Sequence, residues 1–150
     1  MDKPPLKGLS GAVDGTGFES LDGLKVSVDE LVYQPQVLTA PDRPHCFAYY
    51  ITIANETEHT ITLKGRKWVV KESNGEVTAV EGDGLVGEMP TLEPGGSFSY
   101  NSFHVIHSRR AMASGSYIGL DETGRRVLAV IPAFEMVVPV ELDGPEIGYA

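Results

Sequence analysis

Gly82-Asp83-Gly84-Leu85-Val86-Gly87-Glu88-Met89-Pro90 decides the fold class of this 150-residue chain. Its first six residues spell G-x-G-x-x-G, the glycine pattern of a dinucleotide-binding turn. That turn needs a buried strand before it and a helix opening at its last glycine. Pro90 stands three residues after Gly87, and Glu93-Pro94-Gly95-Gly96 follows, so no helix can propagate. The segment before it, Glu76 to Glu81, is half polar and unlike a buried parallel strand. The string is therefore predicted to be a loop between strands of a β domain.

Alternation on either side supports this. Leu24, Val26 and Val28 point one way and Lys25, Ser27 and Asp29 the other, the period of a half-buried strand. Phe47, Tyr49, Ile51 and Ile53 make one face of a second strand; Ala48, Tyr50, Thr52 and Ala54 make its other face. A third runs from Thr60 to about Lys71, with Ile61, Leu63, Trp68 and Val70 facing the core and a break expected at Gly65. Asn74-Gly75 predicts a type I′ hairpin, which needs positive φ at both central residues. Val77 to Glu81 returns as its partner. Ser97 to Phe103, Gly115 to Asp121, Arg125 to Ile131 and Ala133 to Val140 complete seven or eight short strands. The predicted fold is an all-β antiparallel sandwich. Trp68 on a central strand resembles the buried tryptophan of immunoglobulin-like domains, although the paired cysteines are absent. Residues 1–20, with four glycines and little apolar periodicity, are expected to be a flexible tail. Residues 21–140 form the domain, and residues 141–150 an acidic tail.

Composition narrows the function classes. The hydrophobic fraction of 41% is ordinary for a soluble globular domain. A formal net charge of −9 disfavours nucleic acid and anionic membranes as partners. Cys46 is the only cysteine, so no internal disulfide can form, which fits a reducing cytoplasm. No stretch approaches the length of a membrane helix.

The glycine string offers two chemistries. Gly82, Gly84 and Gly87 permit backbone conformations that turn amides outward into an anion nest, with Arg66 and Lys67 as offsetting cations. Asp83 and Glu88 supply oxygen ligands of the kind magnesium uses. The alternative is that the glycines serve backbone shape alone. The four histidines match no zinc signature and are expected at the surface. Ser116 lies one place early for a nucleophile elbow, and Cys46 starts an apolar strand. No catalytic constellation emerges, so an enzyme is not expected. Tyr50 on a sheet face and the Arg109-Arg110 pair are candidate contacts for a protein partner.

Taken together, several strings resemble the ApaG domain family. They are Phe47-Ala48-Tyr49 leading into Ile51-Thr52-Ile53-Ala54-Asn55, Arg66-Lys67-Trp68-Val69-Val70, Asn74-Gly75, and the glycine string through Pro90. Leu92-Glu93-Pro94-Gly95, Phe98-Ser99-Tyr100, Gly115-Ser116-Tyr117 and Ile131-Pro132-Ala133-Phe134 continue the series. The resemblance implies a fibronectin type III-like sandwich and a binding module, expected to engage a protein partner. It also implies an alternative: a role in cobalt and magnesium homeostasis, with Gly82, Gly84 and Gly87 holding pyrophosphate or a nucleotide. No cofactor is expected beyond a weakly held magnesium or cobalt ion. Two departures stand out: Lys67 replaces the family's histidine before the tryptophan, and His104 to Ser114, with Arg109-Arg110, replaces its Pro-Ser-Gly loop.

Overall fold

The computed structural model describes residues 9–13, 17–35, 41 and 43–140. The chain runs through ten strands: β1 (Leu9–Val13), β2 (Glu19–Leu21), β3 (Leu24–Tyr33), β4 (His45–Asn55) and β5 (Ile61–Glu72). Then come β6 (Val77–Asp83), β7 (Thr91–Leu92), β8 (Ser97–Ile106), β9 (Arg110–Asp121) and β10 (Arg126–Val137). There is no helix among the described residues. Strands β1-β2-β10-β9-β5-β6 form one sheet, with β7 also pairing β5. Strands β3-β4-β8 form the other. Every pairing is antiparallel except β2 with β10.

The two sheets face each other through the alternating residues the sequence marks. Phe47, Tyr49, Ile51 and Ile53 of β4 are buried against Leu63 and Trp68 of β5, Tyr117 of β9 and Val127, Ala129 and Ile131 of β10. Burial of so many large apolar side chains supplies the main driving force for the fold. The β5–β9 pairing is tight. A Cβ at Gly115 would lie 2.1 Å from the Lys67 carbonyl oxygen, and one at Gly119 would lie 2.5 Å from that of Thr62.

Several details depart from the sequence expectations. β5 does not break at Gly65; a bulge between Leu63 and Gly65 absorbs the irregularity. The two segments separated by Pro132 are one strand, with the register shift between Ile131 and Phe134 taking up the proline. The Asn74-Gly75 turn is not type I′, since Gly75 alone has positive φ there. Gly75 N–H donates to the Glu72 carbonyl and Glu72 N–H to that of Glu76, a three-residue loop closed by glycine. The positive-φ pair sits instead at Val86 and Gly87, with φ of 51° and 83°. The segment 104–114 is mostly strand, and only 107–109 turns. β1 and the first two residues of β2 fall inside residues 1–20, expected to be a tail, so among the described residues pairing begins at Leu9. Short strands among glycines leave no period-two trace to detect. Residues 1–8, 14–16 and 141–150 of the two expected tails lie outside the described residues.

Buried polar groups fasten the strand ends. Asn55 is fully buried, and its carboxamide is satisfied on both sides. Nδ2 donates to the carbonyls of His59 (2.7 Å) and Leu92 (2.8 Å), while Oδ1 accepts from the Thr57 amide and hydroxyl. Glu72, also buried, accepts the amides of His107 and Ser108 and thereby holds the β8–β9 turn. Asp121 does the same for the β9–β10 turn, accepting from the Thr123 amide and hydroxyl and from Arg125. Burial pushes the Asp121 carboxyl up, but the Thr123 and Arg125 hydrogen bonds outweigh it and hold the group at about 2.

Two stability predictions follow from these groups. Asn55→Asp turns two donated hydrogen bonds into carboxylate–carbonyl repulsions. It is expected to cost more than the ~1–3 kcal/mol of an unsatisfied buried group and more than Asn55→Ala, read by urea unfolding. A smaller loss for Asn55→Asp than for Asn55→Ala would show that volume, not hydrogen bonding, matters at this site. For Asp121, whose carboxyl is held below its ordinary value of 3.8, the stabilisation is complete above pH 4 and fades as pH falls toward 2. The difference in thermal midpoint between the native chain and Asp121→Asn is therefore expected to be constant from pH 5 to 7 and to shrink below pH 4. A gap that persists unchanged at pH 2 would contradict the assignment.

Candidate functional site

The structure brings four of the sequence-marked residues together. Antiparallel pairing sets Arg66 opposite Gly82, Lys67 opposite Glu81, and Gly65 opposite Asp83. Arg66, Lys67, Gly82 and Asp83 line a cavity of about 560 Å³ on that sheet, with Lys64, Ser116 and Phe18. Gly84, Gly87 and Glu88 do not line it. Three amides of the glycine loop donate within the protein: Gly84 N–H to the Lys64 carbonyl of β5, while Leu85 and Glu88 exchange backbone hydrogen bonds around the Val86-Gly87 turn. Leu85 is driven into the core. The Arg66 guanidinium lies over Gly82, 2.8 Å from where a Cβ would stand, and donates to the carbonyls of Asp83 (2.9 Å) and Gly84 (3.0 Å). Among the described residues, one group of three metal-capable side chains has ligand atoms within 4.8 Å of one another: His59, Asp121 and Glu122. Asp83 and Glu88 are not in it. The Asp121 oxygens are already taken by Thr123 and Arg125, and those of Glu122 by His59 and the Thr60 amide.

The partner-contact candidates lie apart from that loop. Tyr50, 37% exposed, sits with Asp29, Glu30, Ser99 and Asn101 around a shallow depression of about 390 Å³ on the three-stranded sheet. Arg110 is ion-paired with Glu135 (2.8 Å), and Arg109 is in the β8–β9 turn. Cys46 is buried, and burial pushes its thiol up, away from a reactive thiolate.

A second groove has no counterpart among the sequence-marked sites. The sheets differ in width, and β4 and β8 both reach Trp68 of β5, through the Tyr49–Trp68 and Trp68–His104 ring contacts. The inner face of β6 is left without a full cover. The result is an open groove of about 440 Å³ between the edges of β6 and β8. Val70 and Val80 line one wall and Ser102 and Val105 the other, while Phe103, 61% exposed, stands at the rim. Arg43 and Arg66 also line it. Arg43 is neutralised by Glu76 at 2.8 Å and Glu72 at 3.5 Å.

The floor of this groove is aromatic. Trp68 and His104 meet edge to face with ring centroids 4.6 Å apart, and Tyr49 lies 4.8 Å from His104 and 4.9 Å from Trp68. Trp68 is 2% exposed, and its Nε1 has no hydrogen-bond partner; the Tyr49 hydroxyl is close enough to be felt but falls short of bonding geometry. His104 Nε2 is likewise buried and unpartnered. Burial alone pushes the His104 ring down to about 4, so it is neutral at pH 7. Each unmet buried nitrogen carries a desolvation cost of about 1–3 kcal/mol. His104 corrects the expectation of surface histidines. The signal was the strand period: inward Phe98, Tyr100 and Ser102 continue to His104 once β8 runs to Ile106.

The comparisons agree on the lineage. The ApaG domain family profile matches residues 37–120, more than half of the chain. Protein ApaG from Xanthobacter autotrophicus is 42% identical over 95 residues, covering 63% of this chain and 73% of that protein. Protein ApaG from Sodalis glossinidius is 36% identical over 114 residues, covering 76% and 90%. Among solved structures, an X-ray structure of a structural-genomics target matches with a TM-score of 0.71 at 30% identity, covering 79% of this chain and 89% of that one. A crystal structure of an ApaA protein from Bordetella pertussis matches with a TM-score of 0.69 at 30% identity, covering 77% and 94%. The aligned sequences and the shared sandwich place this chain in the ApaG domain family.

Proposed function

We propose that this chain is a non-enzymatic binding module that takes an extended segment of a protein partner along the open side of the sandwich, between β6 and β8. The observation that carries this reading is two neighbouring strand edges with apolar side chains beside them. In the described residues β6 ends one sheet and β8 ends the other, so each offers a free row of backbone donors and acceptors. Val80 and Phe103, at 42% and 61% exposure, flank that opening. An exposed edge beside side-chain pockets is the arrangement by which sheets bind peptides through strand addition. Tyr50 and the Arg109-Arg110 pair, the contacts proposed from sequence, lie outside it.

The experiment is selection of peptides on the full chain from a random phage-displayed library, followed by calorimetry with synthetic copies. Selected peptides are expected to lose at least tenfold in affinity on Phe103→Lys and to bind Tyr50→Ala as they bind the native chain. Peptides insensitive to Phe103→Lys, or no enrichment at all, would overturn the assignment of this surface.

A second reading rests on the convergence of Arg66, Lys67, Gly82 and Asp83 on one cavity: a site for a divalent cation with pyrophosphate or a nucleotide. Against it stand the amides of Gly84, Leu85 and Glu88, which already donate within the protein. Titration with magnesium chloride, cobalt chloride and pyrophosphate, singly and in pairs, is expected to give no saturable heat at millimolar concentration. Saturable binding that disappears in Asp83→Ala, with an unchanged circular dichroism spectrum, would establish the second reading instead.

A further inference from the structure

We propose that the floor of the β6–β8 groove is a carboxylate site, which receives the acidic side chain of the bound peptide on the ring N–H groups of Trp68 and His104. The proposal rests on the reading of the groove as a peptide site and adds the chemistry of its occupant. Three observations lead to it. Trp68 Nε1 can only donate, and it is buried without an acceptor in a side chain that is itself 2% exposed. His104 Nε2 is buried without a partner on the adjoining ring, and as a neutral imidazole it donates in its Nε2–H form. In that tautomer both nitrogens need an acceptor, and a carboxylate offers two oxygens.

The surroundings select for negative charge. Arg66 lines the same groove and spends its hydrogen bonds on two neutral carbonyls. No carboxylate lies within ion-pair distance of it among the described residues. Its field reaches inward, where it lowers the Tyr49, Tyr100 and Tyr117 hydroxyls against the much larger upward push of burial. Arg43, at the same groove, is already matched by Glu72 and Glu76, so the uncompensated cation is Arg66. Val70, Val80 and Val105 on the walls require an apolar stem beneath the charged head. An acidic side chain on an extended strand has that form, with its neighbours in sequence pointing away from the groove.

The chain contains one tryptophan, so its indole N–H gives a single, unambiguous NMR signal. The probes are three acetylated, amidated heptapeptides of sequence Thr-Val-Thr-X-Thr-Val-Thr, with X as Glu, Gln or Leu, titrated into the full 15N-labelled chain. The Glu peptide is expected to bind at least tenfold more tightly than the Leu peptide, with the Gln peptide between them. Its binding is expected to move the indole proton downfield, and Trp68→Phe to erase the preference for Glu. His104→Phe provides the same test should Trp68→Phe fail to fold. Equal affinity for the three peptides, or a Glu preference that leaves the indole signal in place, overturns the proposal. Butyrate and 4-methylpentanoate form a separate arm: if either binds as tightly as the Glu peptide, the occupant is a free carboxylic acid and not a peptide. Failure of this inference is distinguishable from failure of the groove itself. Phage-selected peptides that need Phe103 but carry no acidic residue would sink the carboxylate and leave the groove. Loss of both the designed and the selected peptides would sink both.

Discussion

The contact between Tyr49 and Trp68 joins the two sheets, and much of the architecture is arranged around it. The rings lie 4.9 Å apart, one from the middle strand of the small sheet and one from an interior strand of the large sheet. Gly115 lies directly opposite Trp68 on β9, and its lack of a side chain lets the strands pair there, since any Cβ would collide with the β5 backbone. Phe134 and His104 then close on the indole from β10 and β8. Truncating a buried aromatic of this kind costs about 3–5 kcal/mol, because the cavity left behind cannot collapse. Here it would also remove the surface on which three strands meet.

The same anchor explains why one side of the sandwich stays open. The large sheet is built from seven strands and the small one from three. Alignment at Trp68 puts β3 against β10, and β4 and β8 both against β5, which leaves β6 without a counterpart. Its inward residues Thr78 and Val80 therefore face a groove. The groove's floor inherits its unmet polar atoms from this offset. The Trp68 and His104 nitrogens are deep enough to lose water, and no neighbouring group among the described residues meets their hydrogen bonds. Elsewhere most buried side chains at the strand ends are matched, although Glu19 Oε1, Glu72 Oε2 and Ser108 Oγ also lack a hydrogen bond. Asn55, Glu72 and Asp121 are buried polar side chains, and each holds the turn beside it through backbone amides or carbonyls. Glu72 Oε2 and Glu19 Oε1 are at least near the guanidinium groups of Arg43 and Arg125, whereas the Trp68 and His104 nitrogens adjoin each other in one cleft with no ion pair among the described residues to offset them.

Much of the fold was legible from period two alone. The residues assigned to the inner face of β4, and the core positions of β5, are buried as the alternation demands. What the alternation did not reveal has local causes. A bulge preserves a strand through Gly65, and another through Pro132, where sequence rules expect breaks. Asn74-Gly75 makes the hairpin but not the turn type, because the register Lys71–Val77 leaves room for a three-residue loop. The site was legible only in part. Arg66, Lys67, Gly82 and Asp83 converge as anticipated because β5 and β6 form a hairpin with predictable register. The β6–β8 groove was not legible. It depends on how two sheets of unequal width are superposed, and no local pattern encodes that.

The glycine string and the groove are connected through Arg66. The side chain lies across Gly82, in the space any other residue would fill, and reaches the carbonyls of Asp83 and Gly84. Positive φ at Gly84, and again at Val86 and Gly87, folds the loop back so that those carbonyls can be met and Leu85 can enter the core. Gly84 is further constrained, since a Cβ there would stand 2.7 Å from the Glu88 carbonyl oxygen. The pattern that in a dinucleotide-binding protein turns amides toward a phosphate here turns carbonyls toward a cation. Carbonyls hold a guanidinium without cancelling its charge, whereas a carboxylate would have neutralised it. The loop therefore fixes Arg66 in place and keeps its field available to the cleft beside Trp68.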